Sequence, residues 1–176
     1  MMSLKGFFSA FCAAFLLCSC INDNPEKVPD LKVGDQIPDF TVQMNDGSIV
    51  TSQQLRKGVS LIMFFHTSCP DCAATLPEVE KLYKTYGQKD VNFALISREE
   101  TGETIAKFWN DKGLSMNYSA QATREIYNLF AGSRIPRVYL CFNGVIKAVF
   151  TDNPNPTYED MNSILAELTY YAPFYI

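Results

Sequence analysis

The sequence lacks the features that mark nucleic-acid-binding and membrane-spanning proteins. It has 15 Lys and Arg against 19 Asp and Glu, a formal net charge of −4, and no run of basic residues. This balance argues against nucleic acid as a partner. No apolar stretch reaches the ~20 residues that a membrane-spanning helix needs. No internal repeat or low-complexity block is present either, so a repeat architecture is excluded.

The first twenty residues have the pattern of an export signal. Lys5 provides a positive start, an apolar stretch runs from Phe7 to Leu17, and small residues follow. Leu17-Cys18-Ser19-Cys20 resembles a bacterial lipobox, in which the last cysteine is acylated and becomes the first residue of the mature protein. Ordinary cleavage with full secretion is the alternative.

Three segments follow from this interpretation. Residues 1–19 form a lipoprotein signal peptide, residues 20–32 form a lipid anchor at Cys20 with a polar tether, and residues 33–176 form one folded domain. The protein is therefore expected in the bacterial cell envelope, lipid-anchored with the domain outside the cytoplasm, on the periplasmic side. Under the oxidising conditions outside the cytoplasm, a cysteine pair that acts in its reduced form needs an outside source of electrons.

The spacing of apolar residues predicts an α/β domain. Four short apolar runs are typical of buried strands, and helical patterns separate them and end the chain. The runs are residues 59–65, 91–97, 137–142 and 145–150. Asn143-Gly144 suits a two-residue hairpin between the last two runs, and Asn45-Asp46-Gly47 marks a further hairpin near the start. The expected architecture is a central mixed sheet with helices on both faces and an added N-terminal β-hairpin.

Cys69-Pro70-Asp71-Cys72 is the strongest functional signal in the sequence. It lies between a predicted buried strand and a helical pattern, so Cys69 is expected at the amino end of a helix. Unpaired N–H groups and the helix dipole favour negative charge on sulfur there. The residues alone leave three possibilities: a redox pair, an inert disulfide, or half of a zinc site. The other soft ligands in the domain are His66 and Cys141, and a closed four-ligand site would need both.

Five motifs in order make the chain resemble the thioredoxin superfamily, and within it the membrane-tethered, extracytoplasmic TlpA/ResA branch. The motifs are Gly34…Pro38-x-Phe40, Asp46-Gly47, the apolar run into Cys69-Pro70-Asp71-Cys72, Pro77, and Ile135-Pro136. Together they cover most of residues 31–170. The resemblance implies a thioredoxin-like fold and a thiol–disulfide oxidoreductase that uses no cofactor and no metal.

The resemblance also implies roles and partners. Cys69 corresponds to the attacking thiol of the family, and Cys72 corresponds to the resolving thiol. Pro136 corresponds to a cis-proline beside the cysteines, where the backbone of the preceding Ile135 can bind an extended substrate. The implied partners are exported proteins with disulfides and a membrane thiol-transfer protein that supplies electrons. The protein is therefore expected to act as a reductase.

The chain departs from the family at three positions, and two of these departures leave the resolving thiol without a familiar proton acceptor. Ser68 stands where the family usually has Trp, Thr75 where many TlpA/ResA members have Glu, and Met63 where thioredoxin has a buried Asp. Asp71 is the nearest carboxyl candidate, although its charge also disfavours a thiolate. His66 is a second tuning candidate, with simple packing at the strand end as its alternative.

Two other functions fit parts of the sequence. A peroxiredoxin-like peroxidase shares the opening motif, but its site requires Pro and then Thr or Ser where this chain has Ile62 and His66. A non-enzymatic lipoprotein of the same fold could bind a protein, or hold a soft ion such as Cu(I) with Cys69, Cys72 and His66. Cys141 alternates with apolar residues along its predicted strand, which indicates a buried, inert thiol.

Overall fold

The computed structural model describes residues 30–87 and 91–172. The predicted signal peptide, Cys20 and most of the predicted tether lie outside these ranges. The elements in chain order are β1 (Thr41–Gln43), β2 (Ile49–Thr51), α1 (Ser52–Leu55), β3 (Val59–Phe65), α2 (Pro70–Tyr86), β4 (Val91–Ser97), α3 (Gly102–Lys112), β5 (Tyr118–Ser119), α4 (Glu125–Asn128), β6 (Arg137–Phe142), β7 (Val145–Phe150) and α5 (Tyr158–Tyr171).

The central sheet has five strands in the order β5-β4-β3-β6-β7. β3 and β4 run parallel, with Phe65 of β3 opposite Ser97 of β4. β6 runs antiparallel to β3, and β7 runs antiparallel to β6. β1 and β2 form a separate two-stranded antiparallel sheet. The mixed sheet with an added N-terminal hairpin confirms the architecture predicted from the sequence.

β3 is the centre of the core because it is apolar along nearly its whole length. All seven of its residues are buried, and successive side chains of a strand point to opposite faces of the sheet. Phe64 packs against Tyr127 and Phe130, with ring centroids 5.5 and 4.9 Å away. Phe65 packs against Trp109 at 5.0 Å. Both faces of the sheet are therefore covered where β3 ends and the cysteine motif begins.

The strand predictions are confirmed except for one omission. The predicted bounds of the four longer strands match β3, β4, β6 and β7 residue for residue. Asn143 and Gly144 have φ angles of 48° and 79°, the left-handed values that a tight hairpin turn requires. The sequence analysis does not predict β5, because Tyr118 and Ser119 are too few to show an alternating pattern. This strand forms through its pairing with β4.

The first described residues contact the domain. The Asp30 carboxylate accepts hydrogen bonds from the Gly132 N–H at 2.9 Å and from Arg137 at 3.1 Å. The Leu31 N–H donates to the Phe130 carbonyl at 2.8 Å. The sequence analysis assigns Asp30 and Leu31 to the end of the tether. Within residues 30–87 and 91–172, none of the helices has the length and apolar character needed to cross a membrane.

Candidate active site

The two cysteines of the motif lie at the amino end of α2. Cys69 is the N-cap residue, and its Sγ accepts a hydrogen bond from the Cys72 N–H at 3.3 Å. Pro70 suits the first helical position, because the N–H that it lacks has no partner there in any helix. Cys69 is half-buried and Cys72 is fully buried, and both are free thiols. One sulfur is therefore accessible to a reaction partner, and the other is shielded from solvent.

The surroundings of Cys72 act on its ionisation in opposite directions. Burial raises the pKa of the Cys72 thiol well above its usual range, and the neighbouring Cys69 raises it further. The backbone N–H of His66 and the positive charge of Arg98 lower the same pKa. Burial dominates, so Cys72 holds its proton at neutral pH. Any reaction of this sulfur therefore begins with the loss of a strongly held proton.

The segment before β6 lies against Cys69. The Ile135–Pro136 peptide bond is cis, as the family resemblance implies, and the Cys69 thiol donates to the Ile135 carbonyl at 3.5 Å. Arg134, directly before, has a left-handed φ of 67°. Its carbonyl accepts a hydrogen bond from the hydroxyl of the buried Tyr127 at 2.9 Å. Tyr127 thus helps to hold this segment beside the accessible sulfur.

A buried carboxylate, Glu100, holds the turn that precedes the motif. Its side chain is 4% exposed, and it accepts hydrogen bonds from both the N–H of Thr67, at 3.0 Å, and the Thr67 hydroxyl. His66 Nδ1 lies 3.8 Å from Glu100 Oε1 and accepts a hydrogen bond from the Ser68 N–H at 3.2 Å. His66 therefore belongs to a polar network that extends to the residue before Cys69.

Asp71 contacts the loop between β7 and α5. The Asn155 side-chain amide donates to Asp71 Oδ1 at 2.9 Å. Thr75, at a position where the family resemblance would place Glu, is fully buried and donates its hydroxyl to the Asp71 carbonyl at 2.9 Å. Met63, at the position of thioredoxin's buried Asp, is also fully buried. These two positions therefore carry packing and a helix hydrogen bond rather than a carboxylate.

The sequence analysis misses Arg98 and Glu100 as site residues. Both follow β4, which is parallel to β3, and the carboxyl ends of parallel strands lie at the same edge of a sheet. Because Phe65 is opposite Ser97, residues after Ser97 lie beside the turn into the motif. The sequence does contain a feature that could have indicated them: three consecutive charged residues, Arg98-Glu99-Glu100, directly follow a strand with an apolar pattern.

Cys141 is separated from the motif. It lies on β6 opposite Ser60, toward the start of β3, whereas the motif follows the end of that strand. It is fully buried, which confirms the predicted burial, and burial raises its pKa to about 12. In the part of the chain that the structure describes, no three side chains of His, Cys, Asp and Glu come together in an arrangement that could hold a metal ion.

Residues 33–149 match the AhpC/TSA family. Among curated proteins, the thiol-disulfide oxidoreductase ResA of Bacillus thuringiensis (strain Al Hakam) is 26% identical over 111 residues, which are 62% of this chain and 64% of that protein. ResA of Halalkalibacterium halodurans is 32% identical over 85 residues, which are 48% of each chain. The match thus spans just under two thirds of the first relative's length and about half of the second's.

Solved structures resemble most of this chain. A solution structure from Bacteroides thetaiotaomicron, named for a candidate protein disulfide isomerase, has a TM-score of 0.73 at 24% identity and covers 80% of this chain and 91% of its own. A thiol:disulfide interchange protein of the thioredoxin family from Chlorobium tepidum has a TM-score of 0.66 at 20% identity, covering 80% and 99%. At these identities the likeness shows the fold alone, and that fold is thioredoxin-like, as the motifs predict.

Proposed function

The chain belongs to the AhpC/TSA family, and on that premise we propose that it is a thiol–disulfide oxidoreductase that reduces disulfides in exported proteins through Cys69 and Cys72. The relatives named above are called thiol-disulfide oxidoreductases, which supports the reaction class. The exported substrates, the reducing direction and the use of this Cys-Pro-Asp-Cys pair are our own inferences for this chain.

One observation carries the proposal: the two sulfurs of the motif have different environments suited to successive steps. Cys69 is half-buried at the start of a 17-residue helix, with its sulfur accepting a backbone N–H. Helix N-termini favour the thiolate, which is the nucleophile in exchange reactions. Cys72 is buried directly behind it. An accessible first thiol can meet a substrate disulfide, and a shielded second thiol can react only with Cys69.

The reaction proceeds in two displacements. The Cys69 thiolate attacks one sulfur of a substrate disulfide, so a Cys69–substrate disulfide forms and the other substrate sulfur leaves as a thiolate. Cys72 then loses its proton and attacks Cys69 Sγ, which breaks the mixed disulfide and releases the second substrate sulfur. The two thiols of this chain give up two electrons, and the substrate disulfide takes them up. We infer that the Ile135–Pro136 segment, whose Ile135 carbonyl contacts the Cys69 thiol, binds the substrate backbone.

The cellular setting of the proposal comes from the leader. Acylation at Cys20 would hold the domain on the periplasmic side of a bacterial membrane, where disulfides form and persist. A membrane thiol-transfer protein would return electrons to the oxidised Cys69–Cys72 pair. Metabolic labelling with a fatty acid, compared between the wild type and Cys20→Ser, tests the anchor: labelling that persists in the variant would contradict it.

Trapping of the mixed disulfide tests the mechanism. Cys72→Ser should accumulate a covalent complex between Cys69 and exported proteins, because the first displacement still occurs and the second cannot. Non-reducing electrophoresis of cells that express the variant detects it, and mass spectrometry identifies the partners. Cys141→Ser is the matched control, since it removes a buried thiol that lies away from the site, and it should trap nothing.

The reduction potential of the Cys69–Cys72 pair tests the direction of electron flow. Thiol trapping in graded glutathione buffers should give a reduction potential near or below about −220 mV, in the range of thioredoxin and glutaredoxin. A value near about −120 mV would make the protein an oxidant instead. A pair without a reversible transition, together with one equivalent of retained metal or consumption of peroxide, would replace the proposal with a metal-binding or peroxidase function.

A further inference from the structure

The proposed function assigns the binding of the substrate backbone to the chain that precedes β6, and the following inference rests on that function. Residues 132–136 are called the substrate segment here. Its Ile135 carbonyl contacts the Cys69 thiol at 3.5 Å, and its residues 132–134 are exposed. The substrate segment therefore has an exposed part beside the accessible sulfur, where a peptide can reach it.

The substrate segment has a backbone conformation that its own residues disfavour. Arg134 has a φ of 67°, and this left-handed region is unfavourable for a long side chain such as arginine. Exposed loop residues also bury little apolar surface that would hold them in place. The position of the segment therefore depends on polar contacts from outside it, of which the hydrogen bond from Tyr127 to the Arg134 carbonyl is one.

Asp30 supplies further contacts at both ends of the substrate segment. Its Oδ1 accepts a hydrogen bond from the N–H of Gly132, the first residue of the segment, at 2.9 Å. Its Oδ2 accepts one from Arg137, the residue after the segment, at 3.1 Å. The same Arg137 nitrogen donates to the Ser133 carbonyl at 2.9 Å. One carboxylate therefore ties together the start of the segment and the strand that follows it.

The ion pair between Asp30 and Arg137 joins a buried cation to a half-exposed anion. The Arg137 side chain is 5% exposed, and the Asp30 side chain is 45% exposed. A buried guanidinium depends on its counter-ion, because a buried charge that loses its partner costs much free energy. Removal of the Asp30 carboxylate should therefore shift Arg137 and loosen the segment that Arg137 holds.

Asp30 lies outside the part of the chain that matches the AhpC/TSA family, residues 33–149. The sequence analysis places it at the end of the tether. The next residue, Leu31, donates its N–H to the Phe130 carbonyl at 2.8 Å, so the end of the predicted tether contacts the chain just before the substrate segment as well. These contacts come from a stretch that the family motifs do not include.

We propose that Asp30 is a positioning residue for substrate binding, whose carboxylate holds the substrate segment in the conformation that accepts the backbone of an extended peptide disulfide. Asp30 acts through Gly132 and Arg137 rather than on the reacting sulfurs. Its loss should therefore weaken the binding of a peptide and leave the reactivity of Cys69 unchanged. A disulfide without a peptide backbone should react equally well with and without Asp30.

Two disulfides separate binding from reactivity. The first joins two short extended peptides, one with a fluorophore and the other with a quencher, so that reduction increases the fluorescence. The second is dithiodipyridine, a small disulfide that has no peptide backbone and releases coloured thiopyridone. The full-length protein, purified in detergent and reduced beforehand, is mixed with each disulfide over a range of concentrations. The peptide gives a half-saturating concentration and a maximal rate, and dithiodipyridine gives a second-order rate constant.

Asp30→Ala should raise the half-saturating concentration of the peptide disulfide by roughly 10- to 100-fold, because the binding segment loses its position. The maximal rate and the dithiodipyridine rate constant should stay within about twofold of the wild type, since only binding is weakened. Asp30→Asn should have a smaller effect, because its amide oxygen still accepts the Gly132 N–H. This second variant also provides the test if Asp30→Ala does not fold.

Asp35→Ala is the matched control. It removes another carboxylate from the same end of the domain, and that carboxylate accepts a hydrogen bond from the Lys32 N–H at 2.9 Å, within its own turn. Asp35→Ala should leave the half-saturating concentration, the maximal rate and the dithiodipyridine rate constant unchanged.

The outcomes separate this inference from the proposed function. An unchanged half-saturating concentration in the Asp30 variants, or equal slowing with both disulfides, overturns the role of Asp30 and leaves thiol–disulfide exchange intact. A wild-type protein that does not reduce the peptide disulfide overturns the proposed function itself, and this inference with it. A rise in the half-saturating concentration that is confined to the peptide and to the Asp30 variants establishes the inference.

Discussion

Cys72 and Cys141 are both fully buried thiols in this domain, and their surroundings differ. Around Cys141 on β6, burial raises the pKa to about 12, and the Ser60 hydroxyl of the facing residue on β3 acts to lower it. Around Cys72, burial again raises the pKa, but the His66 N–H and the charge of Arg98 oppose it. Both thiols therefore hold their protons strongly, and their positions distinguish them. Cys72 lies beside Cys69 at the amino end of α2, whereas Cys141 lies opposite Ser60, toward the start of β3.

The largest expected effect concerns Cys141, the inert thiol of this comparison. An unfolded thiol loses its proton near pH 9, whereas folded Cys141 keeps it to about pH 12, so alkali favours the unfolded state. The free energy of unfolding should fall by about 1.4 kcal/mol per pH unit from this thiol, or about 3 kcal/mol between pH 9 and 11. This stabilisation is complete below pH 9 and is lost as the pH rises.

Urea denaturation across that pH range measures the effect. Cys141→Ala should show a shallower loss of stability with pH than the wild type, because its unfolded state has one fewer thiol to ionise. Val138→Ala, which truncates an apolar side chain of the same strand without removing a thiol, should keep the wild-type slope. Equal slopes for the wild type and Cys141→Ala would contradict the comparison.

An intermediate effect is expected at Glu100, which holds the turn before the reactive pair. Glu100→Ala leaves the Thr67 N–H without its acceptor and should lower the free energy of unfolding by about 2 kcal/mol, as for hydrogen bonds to a charged group. Glu100→Gln should lose less, because the amide oxygen still accepts. Chemical denaturation gives the values, and Glu167→Ala, an exposed carboxylate on α5, is the control.

The reduction potential of the same Glu100 variants sharpens the comparison. If the turn positions Cys69, the potential should change in Glu100→Ala and return toward the wild type in Glu100→Gln. An unchanged potential in both variants would limit Glu100 to stability. The Cys141 thiol should show no change in labelling by thiol reagents in either variant, since it lies opposite Ser60, toward the start of β3, whereas this turn follows the end of that strand.

The smallest expected effect concerns Thr75, at a position where the family resemblance would place Glu. Thr75→Val keeps the shape of the side chain and removes the hydroxyl that donates to the Asp71 carbonyl, so it should cost about 1 kcal/mol of unfolding free energy. Thr85→Val removes the same type of bond, to the Lys81 carbonyl at 2.9 Å, on an exposed turn of α2. Thr85→Val should cost less, and a larger loss there than at Thr75 would argue against the importance of the buried contact.

Much of the framework follows from local sequence. The runs that became β3 and β4 are too apolar to lie at a surface, the Asn143-Gly144 pair accommodates the φ angles of its hairpin, and Cys69 precedes a proline suited to a first helical turn. These properties depend on neighbouring residues, so they are visible in a linear pattern. β5 has no such pattern, because its two residues form a strand only through pairing with β4.

The residues of the site divide in the same way, into those that local sequence predicts and those that only tertiary structure brings together. The sequence by itself determined that two cysteines would share a helix start, and its family motifs pointed to the proline segment that lies beside them. Tertiary structure alone decided that Arg98 and Glu100, about thirty residues further along the chain, belong to the same site. The physical reason is the parallel pairing of β3 and β4, which brings the ends of two distant strands to one edge. The charges of Arg98 and Glu100 lie near the motif in space, and a linear sequence pattern does not contain the distances between them.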